Sequence, residues 1–113
     1  MESQVKLNEE RKRLLGKFTE TLPDFMAIER SVINTAYQDG ALSGKIKRLM
    51  SLALALGVGC TNCIVGQANI ALEAGATKEE ILETLSVVVS MKGTSGLAES
   101  LRVIRLLEEL GKL

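Results

Sequence analysis

Cys60 and Cys63 are the only cysteines of this 113-residue chain, and they bracket the segment C-T-N-C. Two thiols at this spacing can close a small disulfide on themselves and reopen it, which favours reversible thiol chemistry over structural cross-linking. A sulfenic acid formed on one cysteine would condense rapidly with the other. The pair is therefore the candidate redox site of the chain.

The chain contains no histidine, so the usual general base, thiol activator and metal ligand is missing. A zinc site needs about four ligands, and two chains would have to share their thiolates to supply them. We expect neither a metal nor a cofactor. In a simpler interpretation the cysteines only fill the core as small hydrophobic residues. Asn62 and the nearby glycines indicate a polar turn and favour the redox interpretation.

Composition excludes several classes of function. Hydrophobic residues make up 46% of the chain and charged residues 25%, which predicts one globular domain over residues 1–113. Fourteen basic and fourteen acidic residues cancel, so the positive field of a nucleic-acid binder is absent. The charged N-terminal segment does not resemble a secretory signal, and two cysteines are too few for a disulfide scaffold. We expect a cytoplasmic protein.

Residues 49–72 form a long run without charge, and about 20 apolar residues suffice to span a membrane. Gly57, Gly59 and the cysteine motif interrupt this run and indicate a helix break. We predict two buried helices joined at the motif, and no membrane partner. Because the first of them is apolar on every side, it must be covered all round. A homo-oligomer is the expected solution.

The hydrophobic pattern predicts an all-α fold of about six helices, since no segment shows sustained alternation of apolar and polar residues. Ser43 and Ser95 are the predicted N-caps of the third and last helices, and Gly75 is the predicted C-terminal cap of the fourth. The last helix is predicted to carry an apolar face of Leu97, Leu101, Ile104 and Leu107 or Glu108, which alternates with Glu99, Arg102 and Arg105. The expected helices cover residues 3–20, 23–38, 44–57, the cysteine motif to 74, a segment opened by the capping box Thr77–Glu80, and a segment after residue 95.

Cys60 and Cys63 gain reactivity if they lie at a helix start, because unpaired backbone N–H groups there stabilise a thiolate. Gln67 follows Cys63 by four residues, one turn along on the same face. Its amide can hydrogen-bond a thiol or an oxidant but cannot take up a proton at neutral pH. An ordinary, partly buried polar residue is the alternative interpretation of Gln67.

The segment from Lys45 to Glu83 resembles the core of the carboxymuconolactone decarboxylase and alkylhydroperoxidase D family. The resemblance rests on an aliphatic run before C-T-N-C, followed by A-L-E-A-G-A and the helix start E-E-I-L-E. It implies an alkylhydroperoxidase D-like helical bundle that assembles as a dimer, trimer or hexamer, with the active site near subunit contacts.

The resemblance also implies a function: a thiol-dependent peroxidase or disulfide oxidoreductase in antioxidant defence, acting on a small peroxide or disulfide. Cys63 would attack the peroxide and Cys60 would resolve the product. A dithiol partner, such as a lipoylated or thioredoxin-like protein, would re-reduce the pair. The helix dipole would activate Cys60 at least as strongly as Cys63, so the two roles stay open.

Two positions depart from the family pattern. Gln67 stands where the family has a histidine, and Arg48 stands where it has a glutamate; together these form the family's proton relay. Arg48 could instead stabilise a thiolate directly as a nearby cation, or it could lie in solvent at the helix start. Four acids are available nearby, but nothing in the sequence indicates that any of them contacts the cysteines. They are Glu73, Glu79, Glu80 and Glu83.

Two other functions compete with the peroxidase. A redox sensor or scaffold oligomer would keep the dithiol without turnover. A carboxymuconolactone-type decarboxylase would be expected to use a histidine, which this chain lacks.

Overall fold

A computed structural model describes all 113 residues and contains six α-helices and no strand. The all-α prediction is confirmed. In chain order the helices are α1 Gln4–Thr21, α2 Pro23–Ala36, α3 Gly44–Val58, α4 Thr61–Glu73, α5 Lys78–Lys92 and α6 Thr94–Glu109.

The core lies where α3, α4, α5 and α6 pack against one another, and it is entirely aliphatic. The apolar face predicted for α6 reaches the core only in its C-terminal half, where Leu107 is buried and Ile104 is partly buried. Leu97 and Leu101 are exposed, whereas Gly96 and Ser100 are buried at the close approach to α5. A Cβ on Gly96 would lie 3.0 Å from the carbonyl oxygen of Val88, so glycine permits this approach. The largest fully buried side chains of the core are Leu52, Leu56, Ile64, Ile81, Leu106 and Leu107.

The uncharged run is divided between α3 and α4, as predicted. Gly59 ends α3 with φ 79°, a left-handed conformation that glycine adopts at little cost. Cys60 then returns to an extended conformation and α4 begins at Thr61. None of the six helices combines the length and apolar character that crossing a bilayer requires.

The helix caps agree with the sequence except at α6. Thr77 and Glu80 form the predicted capping box, and Gly75 follows the end of α4 with φ 95°. The prediction for Ser95 is wrong. Gly93, with φ 72°, occupies the N-cap, and α6 already begins at Thr94. Glycine reaches this backbone conformation without strain, so Ser95 falls inside the first turn.

Helices α1 and α2 form an arm that is only partly supported by the core. No residue of α2 is buried, and its principal neighbour is α1. Phe25, Ile28 and Val32 line one side of α2 and are 56%, 67% and 58% exposed. We call these three residues the α2 stripe.

Glu109 of α6 ties down the start of α1. Its carboxylate accepts hydrogen bonds from the Ser3 hydroxyl and from the Gln4 backbone N–H, the latter at 2.7 Å. The hydrogen bond from Ser3 is the largest cause that lowers the pKa of Glu109 below its usual value. A carboxyl whose pKa is lowered by folding stabilises the folded state above its unfolded-state pKa.

Glu109→Gln is therefore expected to lower Tm at neutral pH, and the difference from wild type should shrink as the pH falls below about 4. The stabilisation is lost as the pH falls through the lowered pKa, since wild type then also carries a neutral side chain. Thermal melts followed by circular dichroism between pH 3 and 7 measure this, with the exposed Glu9→Gln as control. A difference that persists at pH 3 would contradict it.

Candidate active site

The start of α4 positions both cysteines. Cys60 is the N-cap residue, and its Sγ accepts a hydrogen bond from the Cys63 backbone N–H at 3.3 Å. The two Cα atoms are 5.1 Å apart, and the sulfurs are joined in a disulfide. The Cys63 N–H that donates to this sulfur would also stabilise a thiolate on Cys60 after reduction. The predicted placement of the pair around a helix start is confirmed.

The two cysteines differ in their access to solvent. Cys63 is exposed, whereas Cys60 is half-buried behind it. A reagent approaching from solvent therefore meets Cys63 first, while Cys60 lies closer to the protein interior and has the N-cap hydrogen bond.

A concave site of about 270 Å³ opens beside the disulfide, and we call it the cysteine cleft. Its wall is apolar and comes from Leu54, Ala55 and Val58 of α3. Its polar groups come from Ser51, Gln67 and the two cysteines. Such a cleft suits a small, largely apolar molecule that carries one or two polar atoms.

Gln67 lies in the cysteine cleft, as its spacing from Cys63 indicates. Its Oε1 atom is buried and has no hydrogen-bond donor from the protein. Buried acceptors normally have a partner, and rotation of the Gln67 side chain would bring this oxygen to an O–H group in the cleft.

Arg48 does not line the cysteine cleft. Its guanidinium lies over the ring of Tyr37, with the central carbon 3.5 Å from the ring centroid, as in a cation–π contact. It thus lies neither beside a sulfur nor free in solvent. Arg48 and Tyr37 instead line a second concave site of about 440 Å³, here called the polar cleft, together with Asn34, Gln38, Asp39 and Lys45.

Ser51 and Tyr37 connect the two clefts, and sequence reasoning missed both. The Tyr37 hydroxyl is hydrogen-bonded to Ser51 Oγ, and the Ser51 hydroxyl donates to the Lys47 carbonyl oxygen at 3.1 Å. Either hydroxyl can donate in the bond between Tyr37 and Ser51. The one available signal was that Ser51 is the only polar residue between Leu49 and Leu56.

The acids singled out in the sequence do not line the cysteine cleft. Glu80 is held by the capping box and by Lys45, with Nζ and Oε2 2.9 Å apart. The backbone hydrogen bond at Thr77, followed by Lys45, lowers its pKa. The structure brings a different acid near the motif: Glu99 of α6 has Oε1 4.0 Å from the Cβ position of Gly59. Its other oxygen lies 3.5 Å from Arg102.

Comparison with known proteins gives a consistent result. The carboxymuconolactone decarboxylase family profile matches residues 23–106. An uncharacterized protein from Cupriavidus necator is 33% identical over 84 residues, which is 74% of each chain. The apo structure of a carboxymuconolactone decarboxylase family protein from Legionella pneumophila superposes with a TM-score of 0.87 at 32% identity, covering 96% of this chain and 97% of that one.

A second solved structure connects the fold with redox biology. It is a carboxymuconolactone decarboxylase family protein from Thermotoga maritima, for which an involvement in the antioxidative response has been suggested. It superposes with a TM-score of 0.69 at 26% identity and covers 96% of this chain and 97% of its own. The family profile and the near-complete superpositions together mean that this chain belongs to the carboxymuconolactone decarboxylase family.

Proposed function

We propose that this protein is a thiol-dependent peroxidase and disulfide oxidoreductase that acts in antioxidant defence. The observation that carries the proposal is the Cys60–Cys63 disulfide, closed at the N-terminus of α4 beside a small apolar cleft. The suggested antioxidative involvement of the Thermotoga maritima relative supports the same chemistry.

In the reaction, the thiolate of Cys63 attacks one oxygen of the peroxide and the O–O bond breaks. The products are a sulfenic acid on Cys63 and, after protonation of the leaving oxygen, an alcohol or water. The thiol of Cys60 then attacks this sulfenic sulfur, which closes the disulfide and releases water. The exposure of Cys63 supports its role as the attacking residue, and the lower exposure of Cys60 suits a resolving residue.

A dithiol must then reduce the disulfide to complete the cycle. Attack on the exposed Cys63 sulfur would expel Cys60, whose thiolate accepts the Cys63 N–H and is thereby a stabilised leaving group. A lipoylated or thioredoxin-like protein supplies a dithiol of the right kind, since its second sulfur can release the mixed disulfide.

A homo-oligomer is part of the proposal. The α2 stripe is exposed, and Leu54 and Val58 beside the cysteine cleft are 69% and 80% exposed. Apolar surface of this extent is typical of protein interfaces. Further copies of the chain, in a dimer, trimer or hexamer, would cover it and place the cleft near a subunit contact.

Single-turnover oxidation tests the proposal. Reduced protein is mixed with hydrogen peroxide or an organic hydroperoxide, and free thiols are titrated over time. We expect the loss of two thiols per chain at a rate well above that of free cysteine. Oxidation at the rate of free cysteine would overturn the peroxidase and would favour the non-catalytic sensor or scaffold.

The decarboxylase has less support. A lactone acid carries a carboxylate, and a site for it would need a cation or several N–H donors. The residues that line the cysteine cleft include no arginine or lysine.

A further inference from the structure

The proposed peroxidase needs a proton for the oxygen that leaves, and the chain has no histidine to supply it. We propose that Ser51 and Tyr37 form this proton route, and that Arg48 stabilises the charge left behind. Ser51 would be the catalytic residue that touches the peroxide. Tyr37 and Arg48 would act through it as positioning residues. This inference rests on the proposed function. Residues on α3 and at the end of α2 would take the place of the missing glutamate and histidine.

The route follows contacts that the fold already makes. Ser51 is the hydroxyl-bearing residue of the cysteine cleft, which it shares with Cys63. The Tyr37 hydroxyl is hydrogen-bonded to Ser51 Oγ, and the guanidinium of Arg48 covers the Tyr37 ring. A chain of three side chains therefore leads from the cysteine cleft to the polar cleft, where Tyr37 and Arg48 are also lining residues.

The proton transfers through Ser51 and Tyr37 balance. The Cys63 thiolate attacks one peroxide oxygen, and the other leaves as an alkoxide. Ser51 donates its hydroxyl proton to this alkoxide, and it takes the proton of Tyr37 in exchange. The negative charge thus moves from the leaving oxygen to the Tyr37 phenolate. A water proton from the polar cleft restores Tyr37, which balances the proton that the Cys63 thiol released to solvent.

Arg48 would stabilise the phenolate that forms on Tyr37 during these proton transfers. A guanidinium against an aromatic face is attracted to the ring, and the attraction grows when the ring carries a negative charge. The residue that departs from the family pattern would therefore stabilise the charge at the far end of the route. Gln67 lines the cysteine cleft, and its unpaired Oε1 would accept the O–H of a hydroperoxide once the side chain rotates towards the cleft.

Glu99 is the alternative proton donor, and the structure favours it less. It approaches Gly59 rather than the cysteine cleft, which it does not line, and Arg102 is its ion-pair partner.

Two peroxides with different leaving groups test the route. The anion of tert-butyl hydroperoxide's leaving alcohol is strongly basic and needs a proton, whereas peracetic acid releases acetate, which does not. Tyr37→Phe and Ser51→Ala are expected to slow oxidation of the reduced protein by tert-butyl hydroperoxide by about 100-fold. Both should slow the reaction with peracetic acid far less, because its leaving group needs no proton. Ser86→Ala, which removes an exposed hydroxyl from α5, is the matched control and should change neither rate.

Arg48 provides a graded test. Arg48→Met should slow the tert-butyl hydroperoxide reaction, and Arg48→Lys should recover part of the rate, because a cation remains near the ring. Circular dichroism and the rate of thiol alkylation show that each variant keeps its fold and its accessible cysteines.

The outcomes separate the route from the function. A wild-type protein that reacts with both peroxides no faster than free cysteine would overturn the peroxidase and the route together. A fast wild type whose Tyr37→Phe and Ser51→Ala variants slow both peroxides equally, or neither, would overturn the route and leave the peroxidase standing.

Discussion

Cys63→Ser is expected to reduce peroxide consumption to the background rate, because serine is not deprotonated at neutral pH and cannot attack the O–O bond. The remaining Cys60 is half-buried, so peroxide reaches its sulfur less readily than that of Cys63. Stopped-flow oxidation followed by mass spectrometry of the whole chain measures this loss. Rapid oxidation of the Cys63→Ser variant would show that Cys60 is the attacking residue.

Cys60→Ser is the matched control for this prediction. It keeps an oxygen at the N-cap of α4, and serine is a favoured residue there, so the helix start is preserved. Cys63 should still react with one equivalent of peroxide, but its sulfenic acid would persist and could be trapped with dimedone. The absence of a trapped product would contradict the resolving role of Cys60.

Phe25→Glu combined with Ile28→Glu is expected to dissociate the oligomer. Both side chains are more than half exposed, and no part of α2 is buried within the chain, so the charges would not disturb the core. In an oligomer they would lie buried without a partner, which is strongly unfavourable. Light scattering coupled to size exclusion should show a wild-type assembly and a variant of about the monomer mass of 12.2 kDa.

Asn34→Asp is the control for the double variant. It adds a negative charge to the same helix, but Asn34 lines the polar cleft and is not part of the α2 stripe. Its assembly should equal that of wild type. A wild-type protein that is itself monomeric would contradict the homo-oligomer, and an unchanged assembly in the double variant would exclude the α2 stripe from its interface.

Much of the fold follows from local signals in the sequence. The capping box at Thr77 starts α5, and glycines with positive φ at positions 59 and 75 follow the ends of α3 and α4. Each of these residues has the side chain or the conformational freedom that its helix end requires. The side of α6 that faces the core in its N-terminal half could not be predicted from the sequence. Leu97 and Leu101 match an apolar face, but the close packing at Gly96 rotates the helix and buries Ser100 instead. Such a rotation depends on contacts between helices that are distant in the sequence.

In the candidate site, too, contacts within one helix were predictable from the sequence and contacts between helices were not. Spacing along one helix places Gln67 beside the cysteines, because four residues make about one turn. It does not reveal that Arg48 covers Tyr37 or that Tyr37 reaches Ser51, since these contacts join the end of α2 to α3. A bond from Gly44 N to Asp39 Oδ1 at 2.6 Å lies in the turn between these helices, directly after Tyr37 at the C-cap of α2.

Multiple turnover tests the central claim most directly, because it separates an enzyme from a dithiol that is oxidised once. Catalytic amounts of the protein are incubated with tert-butyl hydroperoxide and excess dihydrolipoamide, and peroxide consumption is followed. The proposed cycle predicts many equivalents of peroxide reduced per chain, with none above background for Cys63→Ser. Consumption of a single equivalent per chain, with the protein left as the Cys60–Cys63 disulfide, would contradict the enzyme and leave a redox sensor or scaffold.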